Sequence, residues 1–374
     1  MNKKSHSCLL FFLLTISPLL FCQEENAIFY VSDEKEGKDS NAIYLSVSSL
    51  AFFKNNEYFG HFVDGYTLPG YCLSPELLYV AGTSTYMRAG IYYMQFAGLV
   101  RPYAIRPLFR IRHDISSFLD IIAGSLEGGL NHRLSEPLYG FDNYFFRQPE
   151  YGLQLLLHTA HISSDLWCNW RQFILWGDDF QEEFTVGNYS MLRLSDTAAA
   201  FRLSFPFQTL ITHKGGQINN TDAKIESIFN LSPGLIAEHY STATKIKRTG
   251  LFAAFCYYFN PFDSRAYHEG YAIYPQCYIS TSMLDCRLGY WRAHNFFAPE
   301  GEALFSSVSS VHQRYNKRNR ELVTTKISLS KYYRSGMRFG FRLETYYDIA
   351  THKLDYSTGL FLLFNKDFFL TAVP

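Results

Sequence analysis

Residues Gly336 to Asp348 read GMRFGFRLETYYD. In an extended strand successive side chains point to opposite sides, so Met337, Phe339, Phe341, Leu343 and Tyr347 share one face and Arg338, Gly340, Arg342 and Glu344 the other. The same segregation recurs in Tyr103 to His113, where Tyr103, Ile105, Phe109 and Ile111 oppose Arg106, Arg110 and Arg112. It recurs again in Ala199 to Ile211, with Phe201, Leu203, Phe205, Phe207 and Ile211 against Arg202, Ser204 and Gln208. Tyr151 to His161 and Glu321 to Tyr333 follow the pattern more loosely. Ribbons with one oily and one charged face build either a sandwich with its charge outside or a membrane barrel with its charge inside. Alternation alone does not choose between them.

Composition narrows the choice. The 374 residues include 34 Phe, 28 Tyr and 4 Trp, while only 18% are charged. Disorder needs the opposite balance. Thirty-four basic residues against 34 acidic ones leave no net charge and a pI near 7.2, so no broad positive field exists to hold nucleic acid. A mean hydropathy of -0.11 is too polar for a bundle of membrane helices. Beyond the N-terminal leader no apolar run approaches the roughly 20 residues that a spanning helix needs, and the longest, Leu251 to Phe259, is of strand length.

Connection lengths favour the membrane barrel. Short turns are expected at Ile115-Ser116-Ser117, Ser163-Ser164-Asp165, Ser195-Asp196 and Arg334-Ser335-Gly336. Longer polar connections interleave at Gly128 to Pro149, Gly177 to Glu183, Thr212 to Asp222 and Ile349 to Asp355. One rim of short turns and one of long loops is the outer-membrane arrangement. The expected fold is all-β: a transmembrane antiparallel β-barrel over residues 42–374, with about 16 strands, 14 to 18 being compatible with the pattern. Trp167, Trp170, Trp176 and Trp291, with the tyrosine pairs Tyr92-Tyr93, Tyr257-Tyr258, Tyr332-Tyr333 and Tyr346-Tyr347, suit interfacial girdles.

Ahead of the barrel, residues 1–22 carry Lys3 and Lys4, an apolar run from Cys8 to Phe21, and Gln23 at the boundary. They read as a cleaved secretory signal peptide. Acylation of Cys22 is disfavoured by Phe21 before it. The junction resembles leaders of the Bacteroidota, which often cut before Gln. Residues 23–41 are expected to be a periplasmic lead-in. Five scattered cysteines then remain, with no CxxC pair, which fits small strand residues rather than disulfide or zinc frameworks.

Ser357, Gly359, Leu362 and Phe364 resemble the terminal-strand signal of bacterial outer-membrane barrels, although Asn365 to Pro374 follow it. That resemblance implies recognition by the barrel-assembly machinery and residence in outer-membrane lipid. It is to the porin-like barrel class, not to a particular protein.

Among residues that could carry chemistry, Arg106, Arg110, Arg112, Arg202, Arg338, Arg342 and Glu344 are expected to line the lumen. There they either select among small polar solutes or pair across strands with carboxylates. The connection from Leu130 to Pro149 is long enough to constrict the mouth through His132, Arg133 and Tyr139. His161 and Ser163 resemble the His-x-Ser pair of outer-membrane phospholipases, but Ser164 and Asp165 stand where that family has Asn and Gly. Asp178, Asp179, Glu182 and Glu183 are dense enough to consider calcium, yet they lack an ordered loop's spacing. The expectation is therefore a porin-like passive channel with no catalytic residue, metal or cofactor. The alternatives are a lipid or acyl hydrolase using His161 and Ser163, or a non-conducting scaffold whose outer loops meet a partner or glycan.

Overall fold

The computed structural model describes residues 26–30 and 37–373, apart from 219, 263, 313 and 314. The expected signal peptide lies outside the described residues. The alternating segments form β1 (Ala42–Glu57), β2 (Tyr66–Ala81), β3 (Thr85–Phe96), β4 (Ala104–Ser116), β5 (Leu119–Ser125), β6 (Tyr151–His158), β7 (Ile162–Gln172) and β8 (Glu183–Arg193). The second half adds β9 (Phe201–Lys214), β10 (Glu226–Tyr240), β11 (Arg248–Phe259), β12 (Glu269–Ser280), β13 (Leu284–His294), β14 (Asn319–Tyr332), β15 (Met337–Asp348) and β16 (Lys353–Ala372). Each strand pairs antiparallel with its neighbours in sequence, and β16 returns to β1 with Ala42 opposite Ala372 and Glu57 opposite Tyr356. The barrel of 16 strands is closed. Closure removes the sheet edge, so the strand amides are paired within the wall.

The direction of the side chains settles sandwich against barrel. Phe339 is 41% exposed on the outer surface, whereas Arg342 and Glu344 are 4% and 2% exposed inside. Leu153, Leu251, Ile273 and Leu360 carry the same oily exterior around the circumference. The connections on one rim are short, as at residues 117–118 and 281–283, and those on the other include 126–150 and 295–318. Ala42, where the wall begins, and Ala372, where it ends, lie on the short-turn rim, which is the periplasmic one in such barrels.

Several local expectations are corrected. The connection expected from Thr212 starts at Gly215, since Thr212 to Lys214 still pair with β10, and Trp167 and Trp291 are buried inside instead of standing in a girdle. Ser163, Ser164 and Asp165 are not a turn but the start of β7, the turn being residues 159–161. The connection after β15 is residues 349–352 only, because Lys353 to Asp355 already pair with β15. The residues after Phe364 belong to the wall. β16 continues to Ala372, and its last residues pair with the start of β1.

A barrel of this size is wide enough to hold water, and here it is filled. Loops 126–150 and 295–318 fold inward and latch to each other: Gly140 N donates to Glu300 O at 2.7 Å and Glu302 N to Glu136 O at 2.8 Å. Gly301 is required at that latch, since a Cβ there would sit 2.2 Å from Pro137 O. From the periplasmic side Phe29 enters, its ring 5.1 Å from Phe141 of the first loop and 5.0 Å from Phe361 of the wall. The expected lead-in is thus partly luminal at residues 26–30. Every wall strand contributes to one of three buried clusters packed on these insertions, centred on Trp291 and Phe305, on Phe141 and Phe29, and on Trp167 and Tyr139. A cavity lined by Asn26, Phe29, Lys326 and Arg342 measures only about 50 Å³, room for a few waters.

Because the wall and the filling are held by separate bonds, Gly301→Val should unlatch the loops and spare the wall. The variant is expected to keep the heat-modifiable gel mobility of a folded barrel while planar bilayers show channel openings that the parent lacks. A variant as silent electrically as the parent, with loops equally resistant to protease, would show that the latch does not close the lumen.

Candidate functional site

The alternation that puts aromatic rings outside delivers charge inside, and the geometry shows how that charge is spent. Near the outer mouth, β1 presents Lys54 and Asn56 inward, two residues apart on one face. Lys54 is 1% exposed. Its Nζ lies 2.7 Å from Asp142 Oδ1 and donates to Asn56 Oδ1 at 2.7 Å. Asn56 Nδ2 and Tyr66 Oη donate to Asp142 Oδ2 at 3.0 and 2.5 Å. Asp142 comes from the first loop, and Glu302 comes from the second. Burial, then the nearby Asp142 carboxylate, lift the Glu302 carboxyl to about 7 despite the opposing pull of Lys54. Tyr58, beside the same carboxylates, is raised well above the ordinary phenol range, chiefly by burial.

A second cluster lies beneath the first. Glu136 of the first loop meets Lys326 Nζ at 2.5 Å and also the Arg342 guanidinium, which in turn donates to Glu344 at 2.6 Å. Arg342 stacks over Phe141 at 4.2 Å and Lys54 stands 5.6 Å from the same ring. Phe141 therefore presents its π system to two cationic groups.

The third cluster holds His132, which is fully buried. Its Nδ1 is 2.8 Å from Asp165 Oδ2, its Nε2 is 3.1 Å from Glu150 Oε2, and its ring stacks on Trp167 at 3.6 Å between centroids. Gly187 makes room for that indole, because a Cβ would lie 2.1 Å from Trp167 Cζ2. Burial opposes a charge on the imidazole, but Asp165 and Glu150 outweigh it and raise its pKa to about 9. Tyr139 Oη donates to Glu150 at 2.9 Å and completes the site. Nearby, Arg171 pairs with Glu300 and with Glu183 at 2.8 Å.

The residues expected to line an open lumen are distributed differently. Arg112 is paired with Asp120 at 2.6 Å and with Glu127 at 3.0 Å, and Arg110 donates to the carbonyls of Ser125 and Leu126. Arg106 shares their face but is exposed near the outer end of β4. Arg202 stacks on Tyr240 at 4.0 Å near the periplasmic rim. Arg338 donates to Tyr30 O at 2.7 Å and so grips the lead-in. Arg133 faces the Tyr30 ring at 5.4 Å. Of the constriction-loop residues, His132 and Tyr139 are brought together and Arg133 is not. His161 falls in the turn before β7, so it does not share a strand with Ser163, whose Oγ accepts from Arg193 at 3.3 Å. The acidic run does not gather round one point: Asp178 caps Leu175 N at 2.8 Å, and Glu183 turns to Arg171 and Lys214. Among the described residues no group of three or more His, Cys, Asp or Glu side chains is disposed to hold a metal.

Sequence reading missed Lys54, Asn56, Asp142, Glu150, Glu136 and Glu302. Lys54 and Asn56 did carry a signal, polar residues at alternate positions directly after Phe52-Phe53. The carboxylates lie on irregular loops, where no periodicity points them inward.

The His132 site predicts a pH response. Its folded pKa lies above the ordinary imidazole value of about 6.5, so its contribution to stability is complete below that value and is lost as pH rises through about 9. Urea midpoints should fall between pH 6.5 and 9 in the parent protein, and His132→Asn should flatten that slope. A slope unchanged by the substitution would place the titration elsewhere.

The same wall is found in solved outer-membrane proteins. OprD of Pseudomonas aeruginosa is 13% identical, with a TM-score of 0.51 over 91% of this chain and 98% of that one. A BenF-like porin of Pseudomonas fluorescens Pf-5 gives 8%, 0.50, 87% and 98%. OpdF of Pseudomonas aeruginosa, solved in complex with glucuronate, gives 9%, 0.50, 90% and 100%. At such identities the likeness is one of fold, a closed antiparallel barrel shared with those outer-membrane proteins. No curated protein matches it in sequence. Residues 33–373 do match one family from the lead-in to the end of the last strand, and by that match the chain belongs to the lipid A 3'-O-deacylase-type family.

Proposed function

We propose that this barrel hydrolyses acyl esters of a lipid A-type glycolipid at the outer leaflet, using the cluster around Lys54, Asp142 and Glu302 rather than His161 and Ser163. The observation that carries the reading is the buried Lys54–Asp142 ion pair, braced by Tyr66 and Asn56 at the outer mouth; burial and Asp142 raise the neighbouring Glu302 carboxyl to about 7. A general base works best with a pKa near the working pH. The family's name supplies the ester chemistry and the class of lipid.

In the proposed reaction, ionised Glu302 takes a proton from water as the water oxygen bonds to the acyl carbonyl carbon. Lys54 Nζ, with three N–H groups of which Asp142 and Asn56 take two, supplies the donor for the oxyanion. Collapse breaks the ester bond, and Glu302 returns its proton to the departing alkoxide. Asp142, itself held by Tyr66 Oη and Asn56 Nδ2, keeps Lys54 in place. The filled interior suits this reading, because a hydrolase at the rim needs no aqueous bore.

A second reading, a channel for small polar solutes, is favoured by the porin-type wall of 16 strands. It requires loops 126–150 and 295–318 to withdraw, and the paired state of Arg112 and Arg342 leaves those arginines little charge to offer a solute.

Incubating the folded protein with lipid A in mixed micelles and weighing the products by mass spectrometry separates the two. The expected result is loss of one ester-linked acyl chain, at a rate rising with pH through about 7, and slowed about 100-fold or more by Glu302→Gln. Intact lipid A after prolonged incubation, together with ion conductance in planar bilayers, would instead favour the channel. Lys54→Ala should also abolish turnover, but stripping the cation from a buried pair costs about 3–5 kcal/mol, so its unfolding midpoint must be read alongside.

A further inference from the structure

On the lipid-facing side of β7 and β8 the apolar band is interrupted. Ser164, Asn188 and Ser190 point outward there, between Leu166 and Leu192, which are 44% and 39% exposed, and Thr209 of β9 stands opposite Asn188. Ser164 Oγ and Ser190 Oγ each lie 3.0 Å from Asn188 Oδ1 and 2.8 Å from one another. Two hydroxyl protons can satisfy that triangle. The Asn188 Nδ2 amide, with two N–H groups, donates to no group among the described residues. Turning the amide over only exchanges which end is held, and the other still faces outward.

The patch is not at the water's edge. Trp170 and Phe184, stacked at 5.2 Å on the outer girdle, are paired strand neighbours. Asn188 lies four residues further along β8, about 13 Å at the rise of a strand. The apolar band of such a barrel is about 25 Å tall, so the amide sits within it, where lipid tails offer no acceptor.

We infer that this face is the contact between two copies of the chain, related by a two-fold axis passing beside Asn188. An amide suits such an axis: each Nδ2, the end its own wall leaves unused, donates to the hydroxyl and carbonyl oxygens of the other copy's Ser164, Asn188 and Ser190, and the same surface serves both partners. The small hydroxyl side chains on either side let two walls approach closely, as small residues do between membrane helices. Neither property depends on the hydrolase reading, since both follow from the outward direction of β7 and β8 alone.

Cross-linking in native outer membranes tests the contact. In a Cys168→Ala, Cys277→Ala background, Asn188→Cys is expected to form a disulfide-linked species of twice the chain mass on oxidation. Ile273→Cys, on a distant part of the wall, should not. Asn188→Leu, which suits hydrocarbon and leaves the wall bonds intact, should raise the dimer dissociation constant at least tenfold in nanodisc exchange or in light scattering across a dilution series in mild detergent. An Asn188→Cys protein that stays monomeric, one that is captured in an adduct of another mass, or an Asn188→Leu protein that dimerises as tightly as the parent would each overturn the inference.

Discussion

Interior charge that must be neutralised locally is the constraint from which the rest of the molecule follows. A wall with hydrocarbon on its outside has to place its polar alternates inside, and a barrel this broad cannot bring opposite walls into contact. The buried arginines and lysines of the inner face therefore take partners from their own wall or from an inserted loop. Arg112 uses Asp120 of the adjacent strand, whereas Lys326 and Arg342 need Glu136, which only loop 126–150 can deliver. The filling of the barrel is thus the second half of the wall's electrostatics. Removing one member of such a buried set exposes the others to an uncompensated environment, which is why these clusters behave as units.

The fold was legible because period-two alternation is a property of the chain itself. Phe339 and Arg342 lie on opposite faces whatever surrounds them, and connection lengths then separate barrel from sandwich. Register and strand ends were less so. Ser163 and Ser164 look like turn residues, yet as small polar groups they also suit a strand, and pairing with β8 decides the matter. Ile349 to Asp355 looks like a loop, but Asp355 is needed inside, where its Oδ1 accepts from the amides of Phe59 and Gly60 at 2.6 and 3.0 Å.

The candidate site was legible only in part, for the same physical reason. The wall contributes Lys54 and Asn56, whose inward direction follows from their neighbours. Asp142 and Glu302 arrive on irregular chain, and their meeting depends on the close approach that Gly301 permits. His132 and Tyr139 could be named from the length of their connection, but Glu150 and Asp165, which define what that histidine is, belong to a strand boundary and to the opposing wall. The inward arginines left selection and cross-strand pairing both open, and Arg112 and Arg342 prove to be paired with carboxylates.

Phe29 touches both Phe141, which descends from the cell exterior, and Phe361 of the final strand. The final seam, β16 against β1, closes round a segment that precedes β1 in the chain. Either that segment is already threaded when the last hydrogen bonds zip, or it must enter a completed cylinder from below and find its aromatic seat. In the first case the lead-in acts as a mandrel on which the cylinder is wound, and the order of events during insertion is written into the position of one ring.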